Sequence, residues 1–387
     1  MELVSRFLPV PEQSFFLFGP RGTGKSTWLK EKFPEALFVD LLKQDTFRRL
    51  SARPERLEEL VAGTPNAEVV VIDEVQRVPE LLHTVHHLIE QKSARQFIMT
   101  GSSARKLRRG GVDLLAGRAV VRTMHPFMAA EMQSFYLDAA LQTGLLPIVL
   151  AADAPDDVLS AYVSLYLEEE VQREGWVRNL GNFARFLEAV SFSHSSVLNV
   201  SNVARECQVE RRTVLGFLEV LTDLLLCFTV PVFTKRAQRQ TTTHPKFYYF
   251  DAGVYRSLRP HGPLDRAEEI DGGAFEGLVA QHLKAWIAYS GTATDLYFWR
   301  TRAGTEVDFV VYGDLGFWAI EVKNSAEVRS QHLRPLKSFR AAYPECQTAL
   351  LYRGNERLLI DDIWCLPGEK FLQELRPGTN LGDQTIG

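Results

Sequence analysis

Short uninterrupted apolar runs alternate with segments of helical composition through the first third of this chain. The runs Ser14 to Phe18, Ala36 to Asp40, Glu68 to Ile72, Gln96 to Thr100 and Ala119 to Thr123 show little alternation of apolar and polar positions. Strands of that kind are covered on both faces, as in a parallel sheet flanked by helices. Helices are predicted at Thr27 to Lys32, Pro54 to Ala62, Pro79 to Lys92 and near Ala104 to Leu115, so the fold class is α/β with a doubly wound parallel sheet. His125 to Ala184 is helical in pattern, with Asp156 and Asp157 leading into Tyr162 to Glu170. Asn199 to Cys207 opens on capping-type residues and predicts a helix, and Gln208 and Val209 make a turn. Glu210 to Leu218 predicts a second helix, with Val214, Leu215, Leu218 and Leu221 on one side. A β-rich stretch Leu225 to Phe233, a polar loop from Lys235 to Gln240 and a strand Lys246 to Phe250 follow. From Gly272 onward the pattern is helix, strand, hairpin, strand, helix, strand.

Chemistry enters at the turn between the first run and its helix. Gly19 to Ser26 read Gly-Pro-Arg-Gly-Thr-Gly-Lys-Ser, which fills the phosphate-binding spacing G-x-x-x-x-G-K-S/T in the strand-to-helix context that motif requires. Glycine lets successive N–H groups point inward at phosphates, and the helix N-terminus adds its partial positive charge. The expected nucleotide-binding residues are Gly19, Pro20, Arg21, Gly22, Thr23, Gly24, Lys25, Ser26 and Thr27. Lys25 would reach the outer phosphates of ATP, and the Ser26 hydroxyl a magnesium ion. The run Glu68 to Ile72 ends in Asp73 and Glu74. Asp73 is expected to hold magnesium through its water shell, and Glu74 to polarise the attacking water. A strand inserted between these two would bring Thr100 or Ser102 near the γ-phosphate to sense hydrolysis. The alternative is a Ser/Thr-rich turn capping the next helix.

A chain of 387 residues is long enough for two or three domains. Hydrophobic residues at 45% and charged residues at 24% are those of a soluble globular protein. The longest uncharged apolar stretches, such as Leu224 to Phe233, fall short of the roughly 18 residues that span a bilayer. No signal segment is read either, so a cytoplasmic protein without a membrane partner is expected. Cys207, Cys227, Cys346 and Cys365 lie far apart with no C-x-x-C pair, which suits a reducing compartment and argues against structural zinc. His83, His86 and His87 have helical spacing but no acidic or thiol companion, and read as a solvated face.

The net charge of −4 excludes a globally basic nucleic-acid binder. Locally the balance reverses: Arg185 to Pro260 holds ten Lys and Arg against six Asp and Glu. Helix, turn, helix and a two-stranded ribbon resemble a winged helix. Arg211, Arg212, Lys235, Arg236 and Arg239 are its candidate DNA contacts. Winged helices also serve as protein-binding modules.

In the last third Glu276, Asp308, Glu321 and Lys323 stand out, in the pattern E-x31-D-x12-E-V-K. Glu276 is placed early in a helix from Phe275 to Tyr289. Period-2 geometry puts Glu321 and Lys323 on one face of a strand. If Asp308 lies on the neighbouring strand, the group resembles the PD-(D/E)xK nuclease core, in which the acids hold magnesium and the lysine orients water. Glu276, Asp308 and Glu321 are then the expected metal ligands, with Lys323 beside them. A solvent-facing salt bridge on an ordinary sheet is the alternative.

The loop, the Ile-Asp-Glu strand end, Thr100-Gly101-Ser102-Ser103 and Leu115-Ala116-Gly117-Arg118 together resemble the AAA+ superfamily. The resemblance is to AAA+ ATP-binding proteins that carry a restriction-endonuclease-like C-terminal domain of unknown function. It implies a P-loop ATPase core over residues 1–130 and a helical lid or connector over 131–190. A winged helix over 191–260, a nuclease-like α/β domain over 261–375 and a tail over 376–387 complete the arrangement. It also implies self-association into an AAA+ oligomer, a hexamer being one size, in which Arg118, or alternatively Arg105, completes the neighbour's site. The expected function is magnesium-dependent ATP hydrolysis coupled to binding, remodelling or translocation of duplex or branched DNA, with cleavage left open. The competing reading is a nucleotide-dependent switch or scaffold whose later domains bind protein.

Overall fold

A computed structural model describes residues 5–91, 95–102, 115–166, 179–234, 244–263 and 265–386. The chain divides into two compact units, one of Leu8–His125 with Leu221–Leu226, the other of Met1–Phe7, Pro126–Val220 and Cys227–Gly387. The stretches expected as connector, winged helix and nuclease-like domain thus fall almost wholly within the second unit.

In the first unit, β1 (Phe15–Phe18), β2 (Leu37–Asp40), β3 (Val69–Asp73), β4 (Gln96–Gly101) and β5 (Val120–Thr123) form one sheet in the order β2-β3-β4-β1-β5. Every pairing in it is parallel. β4 lies between β1 and β3, the insertion expected from the apolar run at Gln96. Phe16, Phe18, Val70, Ile72, Phe97 and Met99 share a buried cluster with Leu81, Leu82 and Val85 of the helix Leu81–Glu90. Each fully buried side chain of this size stabilises by roughly 1.5–3 kcal/mol. One helix, Gln44–Ala52, went unread because Leu50 alone in it is buried, too little for an apolar stripe to show.

The second unit opens with helices at Leu137–Thr143, Pro147–Leu150, Pro155–Ala161 and Leu180–Ser191. β6 (Ser196–Val197), the helices Val200–Glu206 and Arg211–Asp223, the latter counted with the first unit from Leu221 onward, β7 (Cys227–Val230) and β8 (Lys246–Tyr249) follow, and the strands form a sheet ordered β6-β8-β7. Asn199 caps the first of those helices, its side chain accepting from the Asn202 N–H. Asp251 caps the helix Ala252–Leu258 by accepting from the Gly253 and Val254 N–H groups.

The 24-residue helix Ala267–Ser290 is longer than the predicted Phe275 to Tyr289, so Glu276 sits in its interior rather than near its start. Beyond it lie β9 (Thr294–Arg300), β10 (Glu306–Gly313), β11 (Gly316–Lys323), β12 (Gln347–Tyr352), β13 (Leu358–Ile360) and β14 (Ile363–Pro367). They form a mixed sheet ordered β13-β14-β12-β11-β10-β9. β10 pairs antiparallel with both β9 and β11, while β12 runs parallel to β11 and β14. The β9 register shifts between Val307 and Val310, an irregularity that re-aims the residues around Asp308. Val307, Val310 and Leu350 are buried against Leu333, Leu336 and Phe339 of the helix Ser330–Ala342. The segment expected as a tail carries a helix, Leu381–Ile386, with Leu381 buried. Among the described residues no helix is long and apolar enough to cross a membrane.

Candidate functional site

β1 delivers the chain into the Gly19–Gly24 turn, and Gly24 is the N-cap of the helix Lys25–Lys32. Gly22 and Gly24 adopt φ 84° and 88°, the left-handed region that other residues enter only with strain. Thr23 is fully buried and donates from Oγ1 to the Pro20 carbonyl at 2.8 Å. Lys25 is buried too, its Nζ donating to the carbonyls of Gly19 at 2.7 Å and Pro20 at 3.2 Å. Arg21 is half-buried and Thr27 exposed.

The neighbouring strand ends complete a hydrogen-bonded constellation. Ser26 Oγ donates to Asp73 Oδ2 at 2.7 Å, and Thr100 Oγ1 donates to Asp73 Oδ1. Thr100 Oγ1 in turn accepts the Glu74 N–H at 3.0 Å. Glu74 is held at φ 64°, an uncommon conformation for a residue with a side chain and a frequent mark of functional sites. Gln76 Nε2 donates to Glu74 Oε2 at 2.6 Å and reaches Ser102 Oγ at 3.4 Å. Sequence reading missed Gln76. A carboxamide two residues past a carboxylate, in a turn, was the signal available.

Ser26 and Asp73, an alcohol and a buried carboxylate already within hydrogen-bond distance, are the hard oxygen donors magnesium prefers. These residues fit that ion. Arg118 is exposed and ion-paired with Glu90, while Arg105 lies outside the described residues.

The second group of interest is built in the other unit. Lys246, the first residue of β8, is 1% exposed. Its Nζ lies 3.0 Å from Glu276 Oε1, 3.0 Å from Asp308 Oδ1 and 2.7 Å from Glu306 Oε1. Tyr248 also donates to Glu276 Oε1 at 2.7 Å, and Asp308 Oδ2 accepts the Val322 N–H at 2.9 Å. On β11, Lys323 Nζ lies 2.6 Å from Glu321 Oε1, whereas Glu321 Oε2 is buried with no hydrogen-bond partner among the described residues.

Burial opposes the charge on Lys246, but Asp308, Glu276 and Glu306 outweigh it and hold the ammonium pKa well above its ordinary value. Burial also acts against ionised Asp308, yet Lys246 and then Lys323 bring its pKa below the ordinary one. Burial, with the charge of Asp308 second, pushes Glu276 up to about 7 and Glu321 up to about 8.

The expectation for these acids changes accordingly. Among the described residues no three His, Cys, Asp or Glu side chains gather as a metal site. Glu276 and Asp308 converge on a lysine ammonium instead, so the set Glu276, Asp308 and Glu321 as it stands does not fit a resident magnesium ion. Lys246 and Glu306 were the residues missed. Lys246 lies 30 positions before Glu276 and reads as one more base in a basic stretch.

Arg211 and Arg212 are exposed at the start of the helix Arg211–Asp223. Lys235, Arg236 and Arg239 lie outside the described residues.

Three family profiles match the chain. An AAA domain covers residues 11–133, a domain of unknown function (DUF8612) covers 134–265, and another (DUF4143) covers 271–371. Uncharacterized proteins of Mycobacterium tuberculosis and Mycobacterium bovis are each 25% identical over 371 residues, 92% of this chain and 80% of theirs. A solved structure of replication initiator DnaA bound to AMPPCP and single-stranded DNA is 15% identical with a TM-score of 0.28. That match spans 56% of this chain and 83% of the other, and at such a score it carries no functional argument. The first third of the chain is thus similar to AAA nucleotide-binding domains, and its five-stranded parallel sheet is consistent with that fold.

Proposed function

We propose that this chain is a cytoplasmic, magnesium-dependent ATPase that acts on DNA. The carrying observation is the constellation around Asp73, where Ser26, Thr100 and the Glu74 N–H meet beside a glycine cradle. Ser26 and Asp73 would hold magnesium, which neutralises charge on the outer phosphates when bound. The loop N–H groups and Lys25 bind and orient the phosphates. Glu74, fixed by Thr100 at its backbone and by Gln76 at its carboxylate, orients the attacking water and takes its proton. Thr100 and Ser102 link this network to the γ-phosphate position. Arg118 acts on the nucleotide of a neighbouring subunit in an oligomer, the arrangement that an exposed arginine at the end of an AAA-like core suits.

Action on DNA falls to the second unit. The order helix Leu180–Ser191, β6, two helices, β7, β8 supports a winged helix. Exposed Arg211 and Arg212 sit at the start of its second helix pair member, the place from which a helix meets phosphates. Lys235, Arg236 and Arg239, outside the described residues, are the remaining candidate DNA contacts read from the sequence. The mixed sheet with Asp308, Glu321 and Lys323 on adjacent strands supports a nuclease-like fold for the C-terminal part.

Measuring ATP turnover with and without duplex and branched DNA tests the reading. Stimulation of turnover by DNA, together with a DNA affinity that falls steeply with salt and whose log-log slope drops by about one when Arg211 or Arg212 is removed, is the expected result. Turnover indifferent to DNA, with no salt-dependent binding, would favour the switch or scaffold reading, to which the net charge of −4 lends weight.

A further inference from the structure

A buried ammonium between carboxylates does electrostatically what a bound cation does. Lys246 Nζ contacts Oε1 of Glu276 and Oδ1 of Asp308, each at 3.0 Å, and Oε1 of Glu306 at 2.7 Å. Those acids come from a helix interior and from β10, while the lysine comes from β8 of a different sheet. Phe298 adds a ring face 5.8 Å from the same nitrogen.

A magnesium or manganese ion sharing Glu276 and Asp308 would need oxygens near 2.1 Å. It would compete with the ammonium for the very oxygens that Lys246 now holds. Displacing Lys246, which is 1% exposed, would strand a buried positive charge beside a dication. Lysine and divalent ion therefore exclude each other. The acid cluster is not fully paired, however: on the neighbouring strand β11, Glu321 Oε2 is buried and has no hydrogen-bond partner among the described residues.

We propose that Lys246 is a built-in counter-ion that stands where a divalent cation would bind, and that removing its ammonium converts the C-terminal acid cluster into a divalent-cation site. As it stands, the cluster needs no metal to be folded and offers none for hydrolysis of a phosphodiester. This rests on the nuclease-like reading only for the comparison with metal-dependent cores. The ion pairs themselves are independent of it.

Manganese binding, counted by the paramagnetic resonance of free Mn²⁺ on nucleotide-free full chain, tests the proposal. Any ion at Ser26 and Asp73 is common to all variants and cancels in the comparison. Wild type and Asp308→Asn should bind the same number of ions per chain. Lys246→Met should bind one more, and Lys246→Met with Asp308→Asn should lose it again. Retained near-ultraviolet circular dichroism from the buried aromatic side chains of the second unit, Phe247, Tyr248 and Tyr249 among them, serves as the folding control for Lys246→Met. An extra ion on wild type relative to Asp308→Asn would overturn the proposal whether or not Lys246→Met folds, and so would a folded Lys246→Met that gains none. Neither outcome depends on DNA binding, so failure here is distinct from failure of the functional reading.

Discussion

Two buried lysines set the two regions of this molecule apart by what their ammonium groups touch. Lys25 rests on the backbone carbonyls of Gly19 and Pro20. Carbonyls are neutral acceptors that an incoming phosphate can outbid, because hydrogen bonds between charged groups are roughly twice as strong. Lys246 lies among Glu276, Glu306 and Asp308. Those carboxylates already supply the charge that a phosphate would. In the proposed reading, the first buried lysine serves ligand binding and the second internal neutralisation. What the ammonium touches decides between them.

The largest effect is expected where the proposed ATPase draws on a neighbouring subunit. Arg118→Ala should lower ATP turnover on the order of a thousandfold with nucleotide affinity nearly intact. Mixing it with Glu74→Gln subunits should restore part of the rate. Full turnover by a dilute monomer would break the contrast, because the first region would then be as self-contained as the second.

Lys246→Met should destabilise the second unit by about 3–5 kcal/mol, the usual consequence of removing one partner from a buried ion cluster. Lys25→Met should shift stability by less than that, since its carbonyl partners can turn to water. Urea unfolding of the two variants side by side measures the difference. Equal losses would show that the lysines play similar structural parts.

A smaller effect follows from Glu321, which faces Asp308, Lys323 and Lys246. Burial first and Asp308 second raise its pKa to about 8 in the folded chain, above its unfolded value. The folded state then holds more protons, so this group's contribution is fully present below about 4.5 and is lost as pH rises through about 8. Glu321→Gln should flatten stability against pH in that window. An unchanged slope would mean that Glu321 stays ionised throughout.

How legible each region was follows from the same contrast. The phosphate loop is local: its glycines, Lys25 and Ser26 are adjacent in sequence, and their spacing dictates the backbone turn. Asp73, Glu74 and Thr100 were legible because buried strands end in polar residues there and parallel order brings those ends together. Gln76 was not, since its role depends on the left-handed turn at Glu74 that swings its carboxamide back. In the C-terminal region identity was readable and distance was not. Asp308, Glu321 and Lys323 announced themselves by spacing, yet their charge state depends on Lys246 arriving from another sheet. A lysine opening a strand next to a basic loop reads as solvent-facing, and only tertiary packing buries it. The helix Ala267–Ser290 was read short because Gly272 and Gly273 look like an interruption, although packing on all sides sustains it.

Nucleotide affinity and steady-state ATP turnover, measured on the same preparations of wild type, Lys25→Ala and Glu74→Gln, test the central claim most directly. Wild type should bind and hydrolyse, Lys25→Ala should lose binding, and Glu74→Gln should keep binding within a few-fold while losing turnover. Equal turnover in all three proteins, or a wild type that binds no nucleotide, would contradict the account.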